Sequence, residues 1–438
     1  MAATWIYVVI DGFLGLSETV QNAIVFIVGA GLAALVNHVT YTHPHLYPRP
    51  ISPWTEKHPD APERSVWTRI PMVSYFALRN ESGIHGRGFW IRPLLTEWLF
   101  PLSLVALFRF ELSGGLLPPT LPAIGGFLAT YQPFALPMFV THMVLAAFML
   151  AATWIDFDEW TIPDIITVPG TLLAILASVL SWWIYPPSFV GGGAPLLPTG
   201  FDSPWFTHIA PPLPPWRWCW VGVSIWSIWC FALSDRRISI RLMERRGVVG
   251  AIKHLCTGIV RGHGFGRLLA MWVLGSVAVI VVAGLGGRPW YGMLTSLIGL
   301  AVGGGVVWAI RIVAGVALNQ EAMGFGDVTL MAMIGAAIGW QAAVIAFFLS
   351  PFTAIVIVLV RRIVSGESHT PFGPYLCAGT VLTVLFWDAA YNGRFAPQLL
   401  LLGDFLLMLA AVMLVLMAMM LIVWRFIKQR VFVIEDSN

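Results

Sequence analysis

Charged residues are scarce in this chain. Only 11% of its 438 residues are charged, 58% are hydrophobic, and the mean hydropathy is +0.80. Because an average soluble domain is about 25% charged, this composition argues against a soluble protein and indicates one that crosses the membrane many times. The formal net charge of +3 is too small to indicate nucleic acid as a partner.

Cysteine is also rare, and the four cysteines form no CxxC pair. Neither a disulfide framework nor a zinc ribbon is therefore indicated. His43 and His45 form an HxH pair, but nothing completes a four-ligand set, so we expect no metal site. The opening run lacks a basic region and is interrupted by Asp11, so no cleavable signal peptide is expected. The cysteines are Cys219, Cys230, Cys256 and Cys377.

Long apolar segments are what the chain has in abundance. Ten of them have the length that a bilayer-spanning helix needs, and the shorter stretch 328–340 has the length of half a span. The sequence therefore predicts an all-α fold, a polytopic membrane helix bundle of about ten spans with a cytoplasmic loop after the first. The ten segments lie near 20–38, 94–113, 134–155, 163–185, 216–233, 267–286, 290–317, 341–361, 370–388 and 400–424.

The distribution of basic residues orients these segments. Loops rich in Lys and Arg stay in the cytoplasm, so we expect all four basic regions to be cytoplasmic. This orientation requires 328–361 to enter and leave the membrane as a hairpin, and it puts 155–162 and 317–327 on the cytoplasmic side. The four regions hold 20 of the 25 basic residues and are 39–92, 234–267, 361–362 and 425–430.

Acidic residues cluster at the same boundary, in the stretch IDFDEWTIPD that begins at Ile155. Asp156 is nearest the end of the preceding span, so we expect it to face the bundle. Asp158 and Glu159 are expected to be solvated loop acids. Asp164 follows a proline suited to a helix start, where a carboxylate stabilises the first turn.

A further carboxylate stands at Gly324-Phe325-Gly326-Asp327, directly before an apolar run. An ionisable residue next to hydrocarbon is costly, so Asp327 is a candidate functional residue. The glycines allow another backbone to approach closely. Taken alone, this motif is equally compatible with a helix cap at a membrane boundary. A second acidic cluster on the same side favours a site.

Together these motifs resemble the bacterial prepilin peptidases, or type IV leader peptidases, of the GxGD intramembrane aspartic protease family. The resemblance extends in order from about residue 29 to about residue 390. It rests on IDFDEWTIPD, on GFGDVTLMAMIGAAIGWQ, on 70–97, which is similar to the family's N-terminal cytoplasmic loop, and on Pro371-Phe372-Gly373-Pro374-Tyr375, which is similar to its FGP loop.

The resemblance implies that Asp156 and Asp327 form a catalytic dyad. It implies an aspartic endopeptidase that removes the leader of prepilins or pseudopilins at the cytoplasmic face of the bacterial inner membrane. Such substrates carry a short basic leader before an apolar helix. Proteolysis needs no cofactor, and S-adenosylmethionine is implied only if N-methylation of the new N terminus is retained. The residues expected to support the site or bind substrate are Gly324, Gly326, Pro371, Phe372, Gly373 and Pro374.

Three departures from the family pattern are evident. The cytoplasmic loop lacks the usual two CxxC pairs, which leaves its zinc and the methylation in doubt. Thr329 stands where the family usually has lysine, and an insertion at about 186–285 separates the acidic motifs. We therefore divide the chain into a first span with a cysteine-free loop (1–93), a peptidase membrane domain containing the insertion (94–390), and an extra C-terminal span with a tail (391–438).

Two other functions remain open. A proton- or cation-coupled transporter would also use intramembrane acids, although such transporters usually contain two related halves and no internal repeat is found here. A non-catalytic assembly factor of a pilus or secretion machine would not need both Asp156 and Asp327. The lipid bilayer is an expected partner in every case, and the sequence indicates neither the particular prepilin nor the oligomeric state.

Overall fold

The structure is a computed structural model that describes residues 2–42, 52–122, 126–188, 197–198, 215–234, 265–318, 323–366, 371–403 and 405–432. Its described part is almost entirely helical. Besides turns and loops, that part contains one pair of two-residue antiparallel strands, β1 (Pro187–Ser188) and β2 (Leu197–Pro198). His43, His45, Cys256 and most of the basic region 234–267 lie outside the described residues.

The described residues of the first part form seven α-helices. Short 3₁₀ turns at Val66–Arg69 and Leu78–Glu81 complete the loop after the second helix, and another at Trp182–Ile184 follows the seventh. The helices are α1 (Ala2–Leu14), α2 (Glu18–Thr42), α3 (Ser74–Ala77), α4 (Ser82–His85), α5 (Ile91–Leu112), α6 (Phe127–Glu159) and α7 (Asp164–Leu180).

The described residues of the second part form eight α-helices and one π-helical segment, Asp388–Phe395. The α-helices are α8 (Pro215–Ala232), α9 (Phe265–Leu285), α10 (Gly287–Leu318), α11 (Phe325–Ile338), α12 (Trp340–Ser365), α13 (Gly373–Leu385), α14 (Ala396–Leu402) and α15 (Phe405–Phe432).

Each predicted span lies on one of these helices, and the prediction of an all-α polytopic membrane bundle is confirmed. Among the described residues, seven helices are long and apolar enough to cross a membrane. The other three predicted spans are shorter apolar helices: α7 gives way to a 3₁₀ turn, α13 runs only from Gly373 to Leu385, and the apolar part of α8 runs from Trp218 to Ala232. The seven lie at Glu18–Thr42, Ile91–Leu112, Phe127–Glu159, Phe265–Leu285, Gly287–Leu318, Trp340–Ile363 and Met408–Ile427.

The predicted half-length helix is α11, which has 14 residues. It ends at Gly339, whose φ of +86° is a conformation that residues with a Cβ rarely adopt. The next helix, α12, begins directly after it at Trp340. This break produces the short helix that the basic-residue pattern required.

Close backbone contact fixes α11 against α10. A Cβ on Gly299 would collide with the carbonyl oxygen of Gly335, and a Cβ on Gly335 would collide with the carbonyl oxygen of Gly299. Small residues at such a crossing allow tight van der Waals packing of membrane helices. Residues 327–338 of α11 are buried as a result, so Asp327 belongs to an element with a fixed position.

The loop between α2 and α5 is cross-linked by a buried ionic cluster. Arg64 donates to both carboxylate oxygens of Glu81 at 2.7 and 3.0 Å, and the His85 ring lies 3.1 Å from the same carboxylate. Burial alone would raise the pKa of Glu81, but hydrogen bonds and charge from Arg64 and His85 hold it below its usual value. These three side chains tie together segments that lie far apart in the loop.

A second buried carboxylate joins this loop to two long helices. Glu97 of α5 accepts hydrogen bonds from Asn37 of α2 at 3.3 Å and from the backbone N–H of Met72 at 2.5 Å. Ser74 donates to the same carboxylate at 3.2 Å. The end of the loop is therefore held against the helices that lead toward the acidic motifs.

Candidate active site

Asp156 lies in the last turn of α6, which extends beyond the predicted end of that span to Glu159. Trp160 then takes a left-handed conformation and donates its N–H to the Asp156 carbonyl oxygen at 2.9 Å, which ends the helix. The Asp156 side chain points inward, with 4% of the residue exposed. Its expected orientation toward the bundle is confirmed.

Asp327 is the third residue of α11, and Gly324 precedes the helix as its N-cap. The Gly324 backbone hydrogen-bonds to the Asp327 carboxylate. This is the arrangement in which an acidic side chain at the third helical position reaches back to the cap. Asp327 is also buried, with 8% of the residue exposed. A helix N terminus is a favourable place for a carboxylate.

The structure brings the two acids together although they come from distant parts of the chain. Asp156 is close enough to Asp327 to act on it electrostatically. Cys377, from α13, is close enough to interact with both carboxylates and is itself buried. Two buried carboxylates that act on each other in this way repel each other when both are ionised.

The FGP stretch lies against Asp156. The backbone N–H of Gly373 donates to Oδ2 of Asp156 at 3.1 Å. Pro374 takes one of the first helical positions of α13, where its missing N–H costs nothing. Pro371 is buried and Phe372 is partly buried beside them. The structure therefore places this segment at the acid pair, on the Asp156 side.

The two glycines of the GxGD motif have different surroundings. A Cβ on Gly326 would lie 2.8 Å from Cβ of Ile162 and 2.9 Å from its carbonyl oxygen. A Cβ on Gly324 would meet nothing closer than 3.6 Å, where Asp327 Oδ2 lies. Gly326 thus allows α11 to pack on the segment that follows α6. No steric contact in the structure requires a glycine at position 324.

The neighbouring acids correct one expectation. Glu159 is buried and Asp158 is ion-paired, so neither is a simple solvated loop acid. Asp158 accepts two hydrogen bonds from Arg92 at 2.7 and 2.6 Å. The guanidinium of Arg92 also lies 4.9 Å from the centre of the Trp154 ring. Asp164 does stand in the first turn of α7, as predicted.

Sequence patterns could not assign a role to Arg92, because its partner Asp158 lies on another helix and far along the chain. The pair joins the beginning of α5 to the end of α6, two residues beyond Asp156. The sequence identifies Arg92 as one of the basic residues that orient the loop and as part of the stretch 70–97 that is similar to the family's cytoplasmic loop. Its spacing within α5 carries no information about this contact.

The described residues contain no group of three or more His, Cys, Asp or Glu side chains that could hold a metal ion. The cytoplasmic loop has no cysteine, so its residues do not fit the family's zinc site. S-adenosylmethionine requires polar groups free to bind its ribose and amino acid parts. The buried loop carboxylates, Glu81 and Glu97, already bond within the protein. They do not fit that cofactor, and we derive no methyl-transfer step.

The fold and the site thus define a multi-pass helical membrane protein with a buried carboxylate pair at the ends of its helices. Residues 267–359, which include Asp327, match the type IV leader peptidase family. The resemblance predicted from the motifs is confirmed by this match. Asp156 and the FGP stretch lie outside the matched residues.

Several curated relatives carry the name prepilin leader peptidase/N-methyltransferase. The protein from Pseudomonas aeruginosa is 40% identical over 86 residues, which is 19% of this chain and 28% of the relative. The Pseudomonas putida protein is 34% identical over 130 residues, covering 26% of this chain and 42% of the relative. The Aeromonas hydrophila protein is 32% identical over 119 residues, covering 23% of this chain and 39% of the relative.

The chain therefore spans less than half the length of these relatives in the alignments. No solved structure matches it.

Proposed function

We propose that this protein is an intramembrane aspartic endopeptidase that removes the leader of prepilins or pseudopilins. The observation that carries the proposal is the buried approach of Asp156 and Asp327, made at the end of α6 and the beginning of α11. The names of the relatives supply the substrate class. In this proposal, the peptidase domain is 94–390, 1–93 provides the loop, and 391–438 adds the last span.

Peptide hydrolysis by such a pair requires one shared proton. The ionised carboxylate takes a proton from a water molecule, and the protonated one donates a hydrogen bond to the scissile carbonyl oxygen. The water oxygen attacks the carbonyl carbon and forms a tetrahedral intermediate. The C–N bond then breaks, and the amine leaves with the proton that the first carboxylate took from water. Each acid is held by a backbone group, Asp156 by the N–H of Gly373 and Asp327 by Gly324. These bonds fix the carboxylates before the substrate arrives.

Gly324 and the FGP segment are proposed to bind the substrate on either side of the acids. The backbone near Gly324 is open, because a Cβ there would meet no atom closer than 3.6 Å. An extended peptide can therefore lie against it. Gly326, Phe372 and Pro374 shape the walls, and Pro371 fixes the approach to α13.

We place the reaction at the cytoplasmic face of the bacterial inner membrane. Arg92 and Arg361, from two of the basic regions, contact Asp158 and Phe157 beside Asp156 at the end of α6, and loops rich in Lys and Arg remain cytoplasmic. A substrate with a basic leader before an apolar helix would put its cleavage point at this boundary. N-methylation of the product stays a prediction from the resemblance.

Co-expression with a prepilin tests the proposal. The full chain, Asp156→Asn and Asp327→Asn are each expressed beside a prepilin, and leader removal is followed as a gel shift. Cleavage by the full chain and loss of cleavage in both variants at equal membrane abundance are expected. A fully active variant would contradict the dyad. Proton-coupled transport by the intact chain without cleavage would favour the transporter.

A further inference from the structure

Arg311 of α10 binds the turn that presents Asp327. Its Nε–H donates to the carbonyl oxygen of Met323 at 3.1 Å, and its guanidinium carbon lies 5.3 Å from the centre of the Phe325 ring. Met323 and Phe325 are the residues on either side of Gly324. One guanidinium therefore contacts both flanks of the glycine whose backbone holds the Asp327 carboxylate.

Among the residues that the structure describes, charged and titratable groups from three helices act on or lie close to Asp327. Asp156 of α6 acts on it as a like charge, and Cys377 of α13 lies close to both acids. Arg311 of α10 acts on it as an opposite charge. Thr329, the position at which the family usually has lysine, is neutral and donates its hydroxyl to the Gly326 carbonyl oxygen at 3.1 Å.

We propose that Arg311 is a positioning residue of this site, which fixes the turn before Asp327 and supplies the positive charge that keeps one carboxylate of the pair ionised. This inference rests on the proposed proteolytic function. Thr329 is neutral, so the positive charge comes instead from Arg311, on the neighbouring helix α10.

The chemistry of the reaction explains why such a charge is needed. One acid must be ionised to take a proton from water, while repulsion by the other acid and burial both oppose ionisation. A nearby cation offsets this, and its effect is larger where water is excluded. Arginine suits the position because its guanidinium is always charged and planar, so it can donate to Met323 and lie over Phe325 at once.

A purely structural role makes a different prediction. If Arg311 only tied α10 to the turn, its loss would lower the amount of folded protein or the maximal rate. The pH at which the acid pair gains its second proton would not move. The acid limb of the activity profile therefore separates the two roles.

The test measures kcat/KM against pH for the purified full chain and a peptide that contains a prepilin leader. Arg311→Gln keeps hydrogen-bond donors and removes the charge. We expect it to move the acid limb about half a pH unit or more toward higher pH. Arg311→Lys keeps the charge and should leave the limb in place. The matched control is Arg362→Gln, an exposed arginine in the last turn of α12.

A positive charge at residue 329, where the family usually has lysine, should compensate for the loss of Arg311. Adding Thr329→Lys to Arg311→Gln should return the limb toward its original pH. An active Arg311→Gln protein whose limb does not move would overturn the inference. If Arg311→Gln does not accumulate in the membrane, the test rests on Arg311→Lys. A shift of the acid limb in that variant would also overturn the inference. A wild-type chain that does not cleave the peptide would refute the proposed function instead.

Discussion

The backbone N–H of Gly373 donates a hydrogen bond of 3.1 Å to the carboxylate of Asp156, across 217 residues of sequence. At this contact a Cβ on residue 373 would lie 2.5 Å from Asp156 Oδ2 and 2.8 Å from Cδ1 of Ile162. Only glycine brings the N terminus of α13 so close to the acid. The FGP segment thus orients one member of the pair through its backbone.

Gly373→Ala should therefore displace Asp156 and reduce cleavage. A shift of about 1 Å in a reacting group is enough to lower a rate about 100-fold, so we expect a loss of that order in kcat/KM. Gly305→Ala is the control, because Gly305 also lies in a helix and a Cβ there meets nothing within 4 Å. Initial rates on a leader peptide measure both. Equal rates for the two variants would show that the contact has no role in the reaction.

The two GxGD glycines should respond differently to alanine. Gly326→Ala places a Cβ 2.8 Å from Ile162, so we expect it to push α11 away and to lower both thermal stability and activity. Gly324→Ala adds a methyl group where no protein atom lies closer than 3.6 Å, so it should retain the thermal stability of the unsubstituted protein. Thermal unfolding in detergent and the peptide assay compare the pair. A larger loss of thermal stability in Gly324→Ala than in Gly326→Ala would contradict the assignment of the tight contact to Gly326.

The helices and the two acids were predictable because their causes are local. Apolar length predicts a membrane helix, and an acid beside glycines at a helix start predicts a buried carboxylate. The environment of Asp158 and Glu159 was not predictable, because α6 continues to Glu159 and because Asp158 pairs with Arg92 of α5. The contact of Arg311 with Met323 is equally invisible, since nothing in the spacing of α10 indicates which side chain faces the turn.

The Arg92–Asp158 pair should contribute little beyond holding the end of α6. The two side chains are 34% and 38% exposed, and pairs this exposed are worth about 0.2–1 kcal/mol. We expect Asp158→Asn to lower cleavage less than tenfold, about the cost of such a pair, whereas Asp156→Asn abolishes it. A double-mutant cycle with Arg92→Gln measures the coupling in thermal unfolding. Complete loss of cleavage in a folded Asp158→Asn protein would mean that the wrong acid has been assigned to the dyad.

The stability of the cytoplasmic loop should depend on pH rather than on zinc. Because the pKa of Glu81 is lower in the folded loop than its ordinary 4.5, its ion pairs stabilise the loop fully above about that pH. This stabilisation falls away as the pH drops through the lower, folded-state value. Glu81→Gln should make the loop more sensitive to limited proteolysis at pH 7 and remove this acid dependence.

Chelation is the companion experiment for the loop. Treatment with a strong zinc chelator should leave its proteolysis pattern unchanged, with a zinc-containing protein digested in parallel as the control. Stoichiometric zinc in the purified protein, or loop cleavage that begins only after chelation, would contradict the ionic cluster as the source of stability.

The central claim is that Asp156 and Asp327 act as one catalytic unit. The most direct measurement is the rate at which the purified chain cleaves a leader peptide at the bond identified by mass spectrometry. Asp156→Asn, Asp327→Asn and the double variant are assayed beside it. Residues that act as a unit are non-additive, so each single variant should fall to the level of the double variant. Substantial cleavage by either single variant, at the same bond and in folded protein, would contradict the account.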